Sequence, residues 1–398
     1  MHWPVSKAAA RTTGAADEPI RILHVNLDAE PEGTARFETA EALVVFWVNQ
    51  VPVGQIYARG DGPSLRIADL AREAVDPHAV LAAGGLQHPG TARTSLVICT
   101  RDRPDALARC LSSLADQTRR PDEVLVVDNA PSDDRTQAVA RAAGVGYVRE
   151  PRPGLGIARN AGARAATGDI VLYTDDDVVL HPRWVERITA AFDATDIMAV
   201  TGLVLPSELE TRTQQVFEKH WGFGRGFRRI DFDRDFFARH RPYGCPTWDI
   251  GAGANMAFRK TAFAEIGPFD ERLGAGAAGC SEDSEYWYRA LAAGWRCRYE
   301  PSAVVFHHHR RSFDALARQI LAYMRGHVAA LLVQFERSGH WGNLRRALIV
   351  LPARYAVRWI GRLVRSRDGS DCLLGQEIRG SLAGVIFYLR AKRPASAD

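Results

Sequence analysis

"TSLVICTRDRPDALARCLSSLADQTRRPDEVLVVDNA", residues 94–130, is the stretch whose reading decides the fold. Two short apolar runs, TSLVICT and DEVLVVDNA, flank PDALARCLSSLADQ, whose apolar residues recur at helical spacing. The rhythm continues through DRTQAVARAAG, the short strand VGYVRE and, further on, DIVLYTDDDVVL at 169–180. Strand and helix in alternation predict an α/β domain with a parallel sheet and helices on both faces. Ligands of such sheets gather at the carboxyl ends of the strands. Three polar features fall at those ends: TRDRP at 100–104, Asp128, and the triplet Asp175, Asp176 and Asp177.

The triplet sets an electrostatic problem. Two unit charges about 4 Å apart repel by about 1 kcal/mol even in bulk water, and by more near a protein surface. One reading makes an Asp the cap of a helix in HPRWVERITAAF, with its neighbours solvated. The other places a hard divalent cation there, Mg2+ or Mn2+, held by one or two carboxylates and completed by substrate phosphates. On an extended segment Asp175 and Asp177 would point to one side and Asp176 to the other, which picks out a D-x-D pair. Just upstream, PGLGIARNAGARAATGD (153–169) puts Arg159 and Asn160 near the start of a helix at the same sheet edge, without the spacing of a dinucleotide fingerprint.

The second half adds a glycine-rich loop, GAGAAGC, and an acid pair, Glu282 and Asp283, opening the helix SEYWYRALAAG. Ser281 could cap that helix and the acids complement its dipole. Beside the aromatics Tyr286, Trp287 and Tyr288, the same acids could instead serve as a general base for a hydroxyl nucleophile. A strand then runs into His307, His308 and His309, where a neutral imidazole could add a nitrogen ligand to a metal.

Taken in order, SLVICTRDRPDALARCLSSLADQ, EVLVVDNAPSDD, GLGIARNAGARAATGDIVLYTDDDV and SEDSEYWYR resemble a family 2 glycosyltransferase over residues 94 to about 310. The resemblance implies a GT-A fold, a Rossmann-like mixed sheet flanked by helices, and an inverting, metal-dependent transfer from a nucleotide-diphosphate sugar to a glycan or lipid-linked hydroxyl. It implies that Thr100, Arg101 and Asp128 contact the nucleoside, and that Arg103, Arg159, Asn160 and Asp176 belong to the donor site. Asp175 and Asp177 would serve the Mg2+ or Mn2+, with His307 as a further metal or diphosphate ligand. Asp283 would be the catalytic base, with Glu282 beside it. Arg101 and Asp102 depart from the family, which often has an aromatic residue and Asn there. VLYTDDDVV also fits an aspartyl-phosphate phosphatase, with Asp175 as nucleophile and Asp177 as acid/base. That motif usually opens its domain, whereas three strand–helix units precede it here. A catalytically inactive sugar-nucleotide-binding scaffold is the non-enzymatic alternative.

With 398 residues, 46% hydrophobic and 25% charged, the chain is expected to divide into several units. These are a loose terminus (1–19), a small α/β accessory domain (20–85), the GT-A domain (92–310) and a basic helical region (311–398). In the accessory domain IRILHVNL, ALVVFWVN and VPVGQIYA read as strands, with Asn49 and Gln50 as a hairpin turn. SLRIADLAREAVDPHAVLAAG reads as one helix ending at Gly84, before the linker GGLQHPGTAR. A net charge of +4 gives no support to nucleic-acid binding from bulk electrostatics, so any basic surface is local. Six cysteines without CxxC spacing argue against a disulfide framework or zinc knuckle, and point to reduced thiols and a cytoplasmic setting. The first residues carry no apolar signal region, and no apolar run is long enough to span a bilayer.

The tail has its own pattern. In LRRALIVLPARYAVRWIGRLVRS, Arg354, Arg358, Arg362 and Arg365 recur at helical spacing beside an apolar stripe of Ala353, Val357, Ile360 and Val364. Two readings compete: a helix lying in the anionic inner face of a membrane, or one packed on the catalytic domain with its arginines in water. Pro352 should limit the helix, and RGSLAGVIFYLRAKR at 379–393 is a second such segment.

Overall fold

The computed structural model describes residues 18–29, 34–35, 41–59, 65–84, 90–364 and 373–391. Most of the expected N-terminal tail (1–17), linker residues 85–89, Arg365, Cys372 and the last residues of the second tail segment lie outside them.

The chain opens with β1 (Arg21–Asn26), β2 (Glu41–Val48) and β3 (Val51–Arg59), followed by α1 (Ile67–Ala74) and α2 (Pro77–Gly84). β1 runs parallel to β2, and β2 and β3 form a hairpin. Its turn, Asn49 and Gln50, has φ of 49° and 61°, so both residues take the left-handed conformation a two-residue hairpin requires. The single helix expected over 64–84 is broken. Val75 leaves it to bridge Gly54, Asp76 donates its N–H to the Val53 carbonyl, and Pro77 restarts the helix. A Cβ at residue 54 would stand 2.3 Å from the Ala74 carbonyl oxygen, so only glycine allows that approach.

This unit shares its apolar core with the rest of the chain, since Leu43, Val45 and Trp47 belong to the cluster that lines the central sheet. Trp47 stacks on His181 at 5.4 Å, and its indole N–H donates to His24 Nδ1. The guanidinium of Arg187 donates to the carbonyls of Asn49 and Gln50, clamping the hairpin turn.

The central unit follows as β4 (Thr94–Thr100), α3 (Pro104–Ser112), β5 (Glu123–Asn129), α4 (Arg135–Ala142), β6 (Gly146–Glu150), α5 (Leu155–Ala165), β7 (Ile170–Asp175), β8 (Val178–Leu180), α6 (Trp184–Ala190) and β9 (Ile197–Pro206). It continues with α7 (Arg212–Trp221), β10 (Ile230–Phe232), α8 (Arg234–His240), β11 (Asn255–Arg259), α9 (Ala262–Glu265), α10 (Glu282–Ala292) and β12 (Arg296–His307). The strands form one nine-stranded sheet in the order β8-β12-β9-β11-β7-β4-β5-β6, with β10 beside β12. β4 to β7 are mutually parallel, and β11 runs antiparallel between β7 and β9. Every residue of β4 and β9 is buried, as strands covered on both faces require. α3, α4 and α6 cover one face; α5 and α10 cover the other. Gly162 lets α5 lie directly on the sheet, because a Cβ there would stand 2.3 Å from Val97. The α/β class and the mixed sheet that the family resemblance implies are as expected; the parallel sheet that the alternation predicts is corrected, since β8, β10 and β11 run antiparallel to their neighbours.

The tail forms α11 (Phe313–Ser338), α12 (Trp341–Arg345), a π-turn over Arg346–Val350, α13 (Leu351–Val364) and α14 (Leu374–Ala391). Pro352 does not end the helical run. The wide turn immediately before it absorbs the missing N–H, and α12 passes into α13 without a break. α14 packs closely on α11 through Gly380 and Gly384, where a Cβ would collide with the carbonyls of Leu321 and Arg325. The five described cysteines are free thiols. No helix among the described residues is long and apolar enough to cross a membrane.

Candidate active site

Sheet register assembles the site. Thr100 is paired with Asp128, and Cys99 with Asp175, so the polar ends of β4, β5 and β7 stand level on one edge. β12 arrives from the other side with His307 opposite Val178, which brings the imidazole beside Asp177. The N-terminus of α10 supplies Glu282 and Asp283. These ends surround a cleft of about 750 Å³ whose remaining wall is α11.

Ten of the twelve expected site residues line this cleft: Thr100, Arg101 and Arg103, then Arg159, the triplet, Glu282, Asp283 and His307. Two do not. Asn160 spends its amide on the backbone of Phe269, donating to the carbonyl and accepting from the N–H, and so holds a loop. Asp128 sits fully buried behind its neighbour Asn129; it accepts a hydrogen bond from the Tyr147 hydroxyl at 2.8 Å, while its Oδ1 has no partner. Burial raises the Asp128 pKa.

The triplet departs from the extended geometry expected of it. β7 ends at Asp175 and the chain turns through Asp176 and Asp177, so strict alternation of sides does not apply. Asp176 accepts from the Thr100 hydroxyl at 2.6 Å and from Arg103 at 2.5 Å, and the same guanidinium reaches Asp177 at 3.0 Å. Asp175 lies 3.5 Å from Arg159. None caps α6, whose N-cap is Arg183. Two arginines thus offset much of the repulsion. Burial still raises the pKa of Asp175 and Asp176, against the opposing pull of Arg159 and Arg103 respectively. For Asp177 the pull of His307, Arg103 and Arg310 outweighs burial and keeps its carboxyl below the usual range.

His307 is the end of a chain of hydrogen bonds. Its Nδ1 meets His309 Nδ1 at 2.9 Å, and His309 Nε2 meets the Glu218 carboxylate at 2.9 Å. A carboxylate only accepts, so His309 donates from Nε2, accepts at Nδ1 and obliges His307 to donate from Nδ1. The lone pair of His307 Nε2 then faces Asp177 Oδ1 at 3.4 Å. Burial drives the His307 pKa down to about 4, so no proton separates these two acceptors at neutral pH. Nitrogen and carboxylate donors facing each other are a half-site that suits a divalent cation completing its shell with phosphates and water. Among the described residues no three His, Cys, Asp or Glu side chains converge into a ready metal cage.

At α10, Ser281 occupies the N-cap with φ of 71° and makes no side-chain cap. Glu282 is buried and paired with Arg159, its Oε2 left without a partner, and burial raises its pKa against that pairing. Asp283 is only half-buried. Its Oδ1 accepts from the Ser284 N–H at 2.6 Å, and its Oδ2 faces Gly253 on the cleft wall. A Cβ at residue 253 would press on the side-chain ends of both Asp283 and Arg159 and displace them. Of the acid pair, Asp283 is therefore the one available to a substrate.

Several cleft residues escaped the sequence reading: Trp248, Arg310, Arg318 and Tyr323 from distant elements, and the Glu218–His309 support behind His307. Arg310, directly after the three histidines, had a local signal; the others are placed only by packing.

The fold is shared with a solved structure. A mannosyltransferase from Pyrobaculum calidifontis, solved with GDP-Man and Mn2+, superposes with a TM-score of 0.50 at 18% identity, covering 78% of this chain and 91% of that one. The architecture is the GT-A fold. Residues 95–267 match the family model described as glycosyl transferase family 2. An uncharacterized glycosyltransferase of Mycobacterium bovis is 35% identical over 173 residues, covering 43% of this chain and 68% of that protein. The pre-mycofactocin glycosyltransferase of Mycobacterium tuberculosis is 30% identical over 254 residues, 62% of this chain and 49% of its own length, so the chain spans about half of this relative. The chain belongs to glycosyltransferase family 2, and the aspartyl-phosphate phosphatase alternative is set aside.

Proposed function

We propose that the chain is an inverting glycosyltransferase that moves a sugar from a nucleotide-diphosphate donor to a hydroxyl of a glycan or lipid-linked acceptor. The observation that carries the proposal is the convergence of Asp175, Asp177, His307 and Asp283 on one cleft. Asp177 and His307, with Asp175 beside them, would hold Mg2+ or Mn2+, whose Lewis acidity stabilises the charge of the departing diphosphate. Thr100, Arg101 and Asn129 form the nucleoside end, with Asp128 behind them. Arg103 holds Asp176 and Asp177 in place, and Arg159 holds Asp175 and Glu282. Asp283 Oδ2 takes the proton of the acceptor hydroxyl as that oxygen attacks the anomeric carbon opposite the leaving group. One displacement inverts the configuration. A lipid-linked acceptor would be met at a bilayer surface, and the expected peripheral contact of the C-terminal helices belongs to this reading.

The test is a thermal-shift series with UDP-, GDP- and dTDP-sugars, with and without Mn2+, followed by turnover of Asp283→Asn. One nucleotide class should stabilise the protein only when Mn2+ is present. Asp283→Asn should keep that stabilisation and lose transfer by about 10² to 10⁴-fold. No response to any nucleotide sugar would overturn the donor assignment, and normal turnover of the variant would overturn the base. Turnover by the unaltered protein also excludes the inactive scaffold.

A further inference from the structure

Every exposed residue of α13 up to Gly361 is apolar. Between Leu351 and Gly361 the exposed residues are Pro352, Ala353, Ala356, Val357, Trp359 and Ile360, with Val357 70% and Trp359 56% exposed. Leu351 and Tyr355 point inward to a small core with α11 and α14, and Arg358 is partly buried against Glu377. Of the arginines expected in water, Arg358 is drawn in, and Ala353, Val357 and Ile360 of the expected apolar stripe face out.

The stripe does not end with α13. Trp341, 71% exposed, and Leu348 and Ile349 precede it in the chain, and Leu382, Ile386 and Leu389 are exposed on α14. Nine of the fourteen large exposed apolar side chains among the described residues lie between 341 and 389, which marks an interaction surface.

Charge selects the partner. Residues 341–398 carry eleven Lys and Arg against four Asp and Glu, a net of +7, while the whole chain carries only +4. The remaining 340 residues are therefore net acidic, and all the excess positive charge belongs to the segment that carries the apolar face. A second copy would bring like charge to like charge. An anionic bilayer meets both demands, accepting Trp and aliphatic side chains at the level of its headgroups and attracting the net positive charge of the segment.

We infer that α12, α13 and α14 form a docking face that lies in the plane of an anionic lipid surface, anchored by Trp341, Trp359 and Ile360. This deepens the proposed function, on which its bearing on a lipid-linked acceptor rests. α11 joins the two sites: it lines the cleft with Arg318, Gln319 and Tyr323 and carries α14 on its Leu321 and Arg325 turns. One helix thus separates the bilayer plane from the chemistry.

The full chain is sedimented with phosphatidylcholine vesicles and with vesicles containing about a third phosphatidylglycerol, with neither donor nor acceptor present, so the result is independent of transferase activity. It should partition to the anionic vesicles, weakly to the neutral ones, and less as salt rises. Trp341→Ser with Trp359→Ser and Ile360→Ser should weaken partition by about tenfold or more without lowering Tm, because all three side chains are exposed. Absence of partition at low salt, equal binding to neutral vesicles, or undiminished binding by the variant would each overturn the inference. So would a concentration-dependent dimer that the same variant dissolves, since a second copy would then cover the face.

Discussion

Arg159 and Glu282, 123 residues apart in the chain, form an ion pair buried at the floor of the cleft. Arg159 also stands 3.5 Å from Asp175 and donates to the Gly253 carbonyl, so one guanidinium joins β7, the β11 approach and the start of α10. Removing one partner of a buried pair leaves an uncompensated charge, which costs about 3–5 kcal/mol. Arg159→Leu should therefore destabilise strongly in urea denaturation. Arg159→Leu with Glu282→Leu should recover part of the loss; a double variant no more stable than the single one would mean the pair is not the source.

His309 should govern metal affinity without touching the metal. Supporting residues behind a ligating histidine typically contribute 10- to 100-fold. His309→Phe keeps the ring packing against Phe217, which sits 4.7 Å away, but frees the His307 Nδ1 proton from its acceptor. Titration with Mn2+ followed by its paramagnetic signal should show weakening of about that size with Tm nearly unchanged. Unaltered affinity would show that His307 does not need this support.

Asp270 gives the cleft loop its acid sensitivity. Its buried carboxylate takes hydrogen bonds from Arg272 and Arg337, and these outweigh burial and hold its pKa well below the usual range. A depressed folded pKa means that the stabilisation is fully present above the unfolded value and is lost as pH falls below about 4 toward the folded one. Denaturation midpoints should fall through that window, and Asp270→Asn should flatten the fall. An unchanged pH profile in the variant would assign the acid transition elsewhere.

Arg187 should report whether the N-terminal hairpin is fastened to the central sheet. Its donors meet the carbonyls of Asn49, Gln50 and Ser302 at 2.6 to 3.1 Å, and burial lowers its pKa to about 10. Loss of charged hydrogen bonds of this kind costs about 1.5–3 kcal/mol. Arg187→Leu should show that loss and raise amide exchange in β2 and β3; exchange confined to α6 would contradict the fastening.

How far these features could be read in advance varied with their range. Strand TSLVICT, the Asn49–Gln50 turn and the β-α alternation were legible because each is written in neighbouring residues. The break at Val75–Asp76 carried a local sign in Pro77, which biases Asp76 out of the helix, but the bridge to Gly54 that fixes the diverted chain is not written nearby. Asn160 and Asp283 show the same limit at the site. Both are polar residues at expected positions, yet Phe269 draws the first away and Gly253 leaves room for the second.

The amino-acid sequence by itself determined the α/β class, the family and the pool of carboxylates and imidazoles available to the chemistry. Those follow from periodicity and from short motifs, which are local. Only the tertiary structure decided that Glu282 is consumed by Arg159 while Asp283 is left open, that His307 presents its Nε2 lone pair to Asp177, and that the apolar stripe of α13 faces outward. Each is a choice among partners far apart in the chain, made by burial and by the need of every buried charge to find its opposite.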